Sequence, residues 1–232
     1  MTSAADKILE CLRQVEGQRA RRLAEEGLGA KVDAIKLFQQ RRFSLTYADL
    51  LASERYGPAA RFFLAELYGP TDFSRRDAQF ARVVPALVRL FPRSIVDTVS
   101  ALVGLHALSE SLDTAMGEQL HSTIVSSTVY SEAWRNCGTR GDRERQLELT
   151  LGLGTSLDRL VHKPLLLKSL RLMRGPAQKA GLGEIQALLE KGFDAFTAIR
   201  GADDFLKLVA SREQALAQRL NSAECAIAEL GP

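Results

Sequence analysis

The sequence has few of the residues that build covalent cross-links or metal centres. Its 232 residues include only three cysteines and three histidines. The cysteines lie far apart in the chain and none is part of a Cys-x-x-Cys pair, so they fit neither a disulfide framework nor a zinc site. We therefore expect a protein of the reducing cytoplasm that folds around an ordinary apolar core. The cysteines are Cys11, Cys137 and Cys225.

Long apolar runs and a one-sided charge balance are also missing. The first residues become charged at Asp6 and Lys7, which predicts no signal peptide. No window approaches the apolar length of a membrane span, so we expect no membrane segment. The 31 basic and 28 acidic residues are spread along most of the chain. Nucleic-acid binders usually concentrate basic residues on one face, so there is no clear nucleic-acid signal either.

Lysine and arginine are absent from residues 94–134, although 31 of the 232 residues are basic. Apolar residues in this segment recur with helical spacing and cover most of the helix circumference, as in a helix enclosed by others. We place this segment at the centre of a bundle. The apolar positions are Ile95, Val99, Leu102, Leu105, Leu108, Leu112, Met116 and Leu120.

Three acids share this apolar segment without a basic neighbour in sequence: Asp97, Glu110 and Asp113. An unpaired carboxylate in a protein interior costs several kcal/mol or takes up a proton. If these acids are buried, their cations must come from other helices. The arginines at positions 75, 76 and 82 are the candidates.

The period-two alternation of a half-buried strand never lasts for a full strand, whereas helical spacing dominates. We predict an all-α protein with about eight to ten helices around the central apolar helix. One domain over residues 1–232 is the simplest organisation, with a subdivision near residues 136–142, where the chain reads Asn-Cys-Gly-Thr-Arg-Gly-Asp.

Several residues predict helix boundaries. The Tyr-Gly-Pro triplets at 56–58 and 68–70 should each end a helix, because glycine adopts left-handed backbone conformations and proline cannot continue the hydrogen-bond ladder. The proline of the first triplet should then start the next helix. Thr46 and Ser74 are predicted N-caps. Pro85 should kink the helix that contains it.

The densest polar cluster comprises Asp72, Arg75, Arg76, Asp77 and Arg82. In one interpretation the arginines, at a helix start, hold a carboxylate or phosphate of a small acidic ligand. In the other, the cluster is structural: Asp72 or Ser74 caps the helix, and the arginines pair with Asp77 or Glu66 across the turn. The second interpretation is the commoner one for such clusters.

A metal site on the central helix is the alternative to a purely structural role for its polar residues. Glu118 and His121 have the Glu-x-x-His spacing of di-iron bundle proteins, and Asp97 or His106 could complete a site. Di-iron sites need two such motifs, and this chain has one, which favours coincidence. A haem protein with His106 or His162 as the single axial ligand is a related alternative.

No catalytic set is assembled in the sequence. It contains no nucleophile elbow, no P-loop and no dinucleotide-binding loop. Cys137, near Arg135 and Arg140, is either a reactive thiol or, more simply, an ordinary one. We therefore expect a non-catalytic binding or interaction protein, which the apolar stripes of its first and last helices could join into a homo-oligomer.

Residues 62–92, "FFLAELYGPTDFSRRDAQFARVVPALVRLFP", carry a family resemblance. The segment resembles a signature of uncharacterised helical proteins from proteobacteria. The resemblance implies helical structure and a bacterial origin, and it brings no activity or catalytic residue. The positions that carry it are Phe62, Phe63, Leu64, Leu67, Tyr68, Gly69, Asp72, Arg76, Asp77, Arg82 and Pro85.

Overall fold

The computed structural model describes residues 3–67 and 71–222. Within them the chain forms twelve helices and no strand, which confirms the all-α class. The helices are α1 (Ala4–Ala24), α2 (Leu28–Thr46), α3 (Ala48–Ala52), α4 (Gly57–Leu67), α5 (Ser74–Leu90), α6 (Arg93–Glu118), α7 (Ser127–Asn136), α8 (Arg140–Val161), α9 (Pro164–Leu172), α10 (Arg174–Lys179), α11 (Gly183–Ile199) and α12 (Asp203–Asn221).

The described residues hold more helices than the eight to ten expected. Two of the additional ones, α3 and α10, have five and six residues, too few to show a helical repeat in the sequence. The predicted central segment is also two helices. α6 ends at Glu118, and α7 starts after Ser126, whose side chain accepts a hydrogen bond from the Val129 amide at 3.3 Å.

Two of the predicted helix boundaries are wrong. Thr46 is the last residue of α2 and caps nothing, because the buried Tyr47 follows it with its ring 4.5 Å from that of Phe43. Gly57 begins α4 instead of ending a helix. A Cβ there would lie 2.9 Å from the Leu51 carbonyl oxygen, so the position needs glycine for close approach. The second triplet, at 68–70, lies outside the described residues.

Other boundary predictions hold or shift slightly. Pro58 lies in the first turn of α4, and Pro85 lies inside α5. Ser74 is the first residue of α5 and not its cap. Its amide and hydroxyl both donate to the Asp72 carboxylate at 2.9 Å. The predicted loop at 136–142 shortens to residues 137–139, where Gly138 has a φ of 70°.

The apolar helix α6 lies at the centre of the fold, as predicted. It packs against α1, α2, α5, α7 and α8. Of its residues only four are exposed. They are Arg93, Ser94, Asp97 and Ser111.

Helix α6 is also the one helix of the described residues whose length and composition would suit a membrane span. Its best window reaches a mean hydropathy of 1.2. The core helix of a soluble protein meets the same criterion, and the packing of five helices around α6 is consistent with that explanation.

The apolar core has three parts, and each joins helices that are distant in sequence. One lies between α2, α4, α11 and α12 and includes Phe63, Phe196 and Phe205. A second joins α2, α6, α7 and α12 around Met116 and Tyr130. The third joins α1, α5 and α6.

The apolar stripes of the first and last helices are used inside the chain. Ile8, Leu12 and Val15 of α1 are buried, as are Phe205 and Leu216 of α12. These residues therefore stabilise the fold, whereas Leu23 of α1 and Leu208 of α12 are exposed, at 88% and 37%. Ile227, which has the same helical spacing in the sequence, lies outside the described residues.

Candidate functional site

Asp77 is the centre of the predicted polar cluster. Its carboxylate, 13% exposed, accepts a hydrogen bond from Arg19 Nη2 at 2.6 Å and lies 2.9 Å from His106 Nε2. These partners come from α1 and α6, so the start of α5 is tied to two helices. Burial alone would raise the pKa of Asp77, but the bonds and charges of His106 and Arg19 outweigh it, and the pKa lies below its ordinary value.

Arg76 lies beside Asp77 and is satisfied within the protein. Its Nη1 pairs with Glu66 at 3.0 Å, and its guanidinium carbon lies 3.7 Å from the centre of the Phe73 ring. Burial lowers the pKa of Arg76, and the nearby carboxylates of Asp77 and Glu66 oppose that shift. This arginine therefore has its counter-charges in the fold already.

The other two arginines of the cluster make separate contacts with α11 and with the turn before it. Arg75 is 82% exposed and pairs with Glu184 of α11 at 3.3 Å. Arg82 donates to the carbonyl oxygen of Gly181 at 3.1 Å. Of the five predicted ligand-binding residues, the structure therefore brings only two, at positions 76 and 77, into one network, and each arginine already has a partner in the chain.

The four metal candidates are not brought together either. His106 contacts Asp77, whereas Glu118 pairs with Arg21 at 2.6 Å. Asp97 is 68% exposed, and His121 lies beyond the end of α6. Over residues 3–67 and 71–222, no group of three or more histidine, cysteine or acidic side chains could hold a metal ion.

His162, the second candidate for a haem ligand, follows the end of α8. It is exposed, and its Nδ1 lies 2.6 Å from the carbonyl oxygen of Asp158 one turn earlier. This is the position of a helix C-cap. This contact accounts for a histidine at position 162 without a bound haem.

Of the three acids of α6, Glu110 meets cations from other helices, but not the expected ones. It pairs with Arg22 of α1 and Lys36 of α2, each at 2.5 Å; Glu110 and Lys36 are buried, and Arg22 is half-buried. Burial would raise the pKa of Glu110, but the two cations hold it below its ordinary value. The three candidate arginines, at positions 75, 76 and 82, take no part in this network.

Asp113 is buried one turn further along α6, without an ion pair among the described residues. Gln39 Nε2 donates to its carboxylate at 2.9 Å. Burial raises the pKa of Asp113, and the positive charge of Lys36 only opposes that shift. Neighbouring acids on one helix therefore have opposite pKa shifts.

A cavity of about 80 Å³ lies between α2, α4, α7, α8 and α12. Its inner wall is apolar and largely aromatic, and its polar residues include Arg143, Gln146 and Glu213. Its half-buried lining residues mark the mouth. The lining residues are Phe43, Tyr47, Ala60, Phe63, Trp134, Arg143, Gln146, Leu147, Thr150, Phe205, Leu206, Val209, Glu213 and Ala217.

Arg143 is the cation of this cavity. Its guanidinium carbon lies 3.8 Å from the centre of the Trp134 ring, and its Nη2 lies 3.4 Å from Cys137 Sγ. Its buried Nε has no hydrogen-bond partner. In the described part of the chain no carboxylate lies within ion-pair distance of Arg143, and the acids that interact with it electrostatically, Asp113 and Asp142, do so without direct contact.

Glu213, the acid on the cavity wall, already has hydrogen-bond partners in the fold. Its Oε1 accepts hydrogen bonds from Arg42 Nη1 at 2.6 Å and from the Tyr47 hydroxyl at 2.7 Å. Its charge is therefore balanced by Arg42. The cavity combines an aromatic wall, an acid that is paired with Arg42, and a guanidinium without a direct ion pair among the described residues.

Cys137 does not have the chemistry of a reactive thiol. It is buried, and burial raises its pKa; the charge of Arg143 lowers it by less. The arginine beside it is Arg143, and the predicted neighbours at positions 135 and 140 donate elsewhere, to Leu220 and Glu144.

The sequence offered one weak signal for this site. Trp134 is the single tryptophan, and it precedes Arg143 across the short turn between α7 and α8. The other walls come from helices that are distant in the chain, so no local motif marks the cavity.

One comparison with known proteins is informative. A protein family described as "Domain of unknown function (DUF8198)" has a model that matches residues 18–226. No curated protein matches the chain. No solved structure matches it either.

Proposed function

We propose that this chain, which belongs to the DUF8198 family, is a non-catalytic binding protein that holds a small carboxylate in the cavity beside Arg143. The observation that carries the proposal is that Arg143 has no direct ion pair among the described residues, and that its Nε has no hydrogen-bond partner. A guanidinium stacked on an aromatic ring keeps its donor edge available, and a carboxylate is the anion whose planar geometry matches that edge.

The size and lining of the cavity define the ligand further. The cavity is about half the volume of the roughly 150 Å³ engineered cavity that binds benzene, so it suits a ligand with an apolar chain of about two to four carbons. Aromatic and aliphatic side chains would cover that chain. The carboxylate would lie at the mouth, against Arg143 and Gln146.

The lining also supports binding without catalysis. Among the described residues that line the cavity there is no histidine, cysteine, serine or lysine. The one acid, Glu213, already accepts two hydrogen bonds. A nucleophile paired with a free base, which acyl or group transfer requires, is not provided by these side chains.

Trp134 makes the proposal directly testable, because the single tryptophan of the chain contacts the binding arginine. We expect propionate or butyrate to change its fluorescence in a saturable way, and the matched neutral amides to have no effect. Replacing Arg143→Gln should weaken carboxylate binding by about 10- to 100-fold, the usual loss when a charged hydrogen-bond donor is removed.

Arg140→Gln is the matched control, since Arg140 lies in the first turn of the same helix, 85% exposed, and pairs with Glu144. That variant should bind like the wild type. A fluorescence response that is absent, that does not saturate, or that survives Arg143→Gln would contradict the proposal. Circular dichroism of the Arg143→Gln variant checks that the helices are intact.

We also propose that the protein belongs to the reducing cytoplasm of a bacterium. Both cysteines of the described residues, Cys11 and Cys137, are free thiols, which supports this location. The metal or haem alternative is a separate proposal with its own test. The purified protein, with and without added haem or iron, would show a Soret band or bind iron stoichiometrically if that alternative were right.

A further inference from the structure

Residues 159–183 have the opposite charge pattern to the central helix. They contain six basic residues and no acidic residue, in a chain whose basic and acidic residues are otherwise nearly balanced. The segment covers the end of α8, all of α9 and α10, and the turn before α11. The basic residues are Arg159, Lys163, Lys168, Arg171, Arg174 and Lys179.

Helix α9, in the middle of this segment, has apolar residues on both faces. Its inner residues Leu166, Leu167 and Leu170 are half-buried, where α9 packs against α8 and α11. Its outer face carries Leu165, which is 76% exposed, and Leu172, which is 80% exposed. An inner apolar face is expected of any packed helix, but the outer leucines have no role in the fold.

The outer leucines and a lysine share one stripe of α9. Leu165 and Leu172 are seven residues apart, close to two helical turns, and Lys168 lies one turn after Leu165 on the same side. Met173, 53% exposed, extends the apolar surface at the end of the helix. We call this set, with Lys163 and Lys179, the α9 surface.

The charge of the α9 surface is not neutralised by the fold. Lys163, Lys168 and Lys179 are exposed, and none forms an ion pair with any described residue. The two arginines at its rim do have partners: Arg171 pairs with Asp194 at 3.2 Å and Arg174 with Glu190. The segment therefore carries three unpaired lysines together with the exposed leucines, and one of them, Lys168, lies on the leucine stripe of α9.

We propose that the α9 surface binds the surface of an anionic phospholipid bilayer. The leucines would enter the boundary between headgroups and acyl chains, while the lysines would contact lipid phosphates. We favour a bilayer over a protein partner because the leucines are separate, strongly exposed side chains and the lysines in the same segment complement anionic headgroups. A folded partner would need a complementary pocket for each leucine, whereas a bilayer accepts them without one.

Vesicle flotation tests this inference on the full chain. We expect binding to vesicles of phosphatidylglycerol mixed with phosphatidylcholine, weaker binding as salt is raised, and little binding to phosphatidylcholine alone. Each unpaired lysine should contribute about fivefold to the binding constant, so the triple variant Lys163→Gln/Lys168→Gln/Lys179→Gln should bind about 100-fold more weakly.

The apolar part of the inference has its own variants. Leu165→Ser/Leu172→Ser should also lose most binding, because the inserted groups are gone. Leu23→Ser is the matched control, since Leu23 is 88% exposed on α1, away from the α9 surface, and it should bind like the wild type. All variants alter exposed side chains, so their melting temperatures should stay near that of the wild type.

Three results would overturn the inference. One is the absence of binding to phosphatidylglycerol vesicles at low salt. Another is a loss of binding in the lysine variant alone, with the leucine variant unaffected, since that would show attraction without insertion. The third is tighter binding to polyglutamate or to RNA than to the vesicles, which would identify an acidic macromolecule as the partner.

Discussion

Glu110 and Asp113 lie one turn apart on α6 and are both buried, yet their environments differ. Glu110 is held by two cations, whereas Asp113 has a neutral amide as its hydrogen-bond donor. The pKa of Glu110 is accordingly lowered, and that of Asp113 is raised. The ionised form is therefore stabilised at one position and penalised at the other.

This difference predicts opposite effects of isosteric substitutions at neutral pH. Glu110→Gln should destabilise the protein by about 3–5 kcal/mol, because Arg22 and Lys36 would remain buried without their carboxylate. Asp113→Asn should be neutral or stabilising, because the amide oxygen of asparagine can still accept from Gln39 while the penalised charge is removed.

Urea unfolding at pH 7 measures both effects, with each variant as the control for the other. Both variants replace a carboxylate with an amide, on the same helix and at positions of similar burial. A loss of stability at Asp113→Asn as large as that at Glu110→Gln would show that the carboxylate at position 113 is itself needed for the fold.

At the scale of elements, α6 packs tightly against α2 at Gly117. A Cβ at Gly117 would lie 2.5 Å from Val32 Cγ2 and 3.3 Å from its backbone nitrogen. The valine side chain is β-branched and has little rotameric freedom to move away. Gly104, in the middle of the same helix, has open space around a Cβ.

The two glycines should therefore respond in opposite directions to alanine. Gly117→Ala should destabilise the protein by about 1–3 kcal/mol through overpacking against α2. Gly104→Ala should stabilise it by about 0.5–1 kcal/mol, since alanine has the higher helix propensity. Thermal unfolding of the two variants beside the wild type checks this. A gain in stability from Gly117→Ala would mean that α2 and α6 can separate at little cost.

The elements that the sequence predicted well are those with strong local signals. Pro58 lies in the first turn of α4, and the apolar segment without basic residues forms the central helix α6, as expected. The boundaries that failed, at Thr46 and Gly57, depend on tertiary contacts. A buried tyrosine follows the first, and a close backbone approach fixes the second.

The candidate site was less predictable than the helices for the same reason. The polar cluster at the start of α5 was visible because its residues are adjacent in sequence, but their partners come from α1, α4 and α6. The cavity has no adjacent residues to reveal it beyond Trp134 and Arg143. A search for long apolar spans also overlooks α9, since a surface helix needs neither their length nor their continuity.

For the whole molecule, the buried carboxylates predict how stability depends on pH. The folded-state pKa values of Asp77 and Glu110 are both lowered. A carboxylate of this kind stabilises the fold above its unfolded pKa, about 4, and this contribution is lost as the pH falls towards the folded pKa. The raised pKa of Asp113 acts in the opposite direction, because protonation relieves its burial penalty.

We therefore expect a net loss of stability between about pH 5 and pH 3, since two carboxylates with lowered pKa values act against one with a raised value. Urea midpoints measured across this range test the expectation. In Glu110→Gln the urea midpoint should fall less steeply with decreasing pH, because one of the titrating groups is absent. An identical slope in that variant would show that Glu110 does not contribute to acid unfolding.

The contacts of α12 have a consequence for how the chain is made. Phe205 fills the core beside Phe63, and Glu213 pairs with Arg42, so helices from the first third of the chain are completed by the last one described. A nascent chain leaving the ribosome would expose that unfinished core until α12 has been made. Folding of this region therefore waits for α12, and the unfinished protein is a natural client for chaperones.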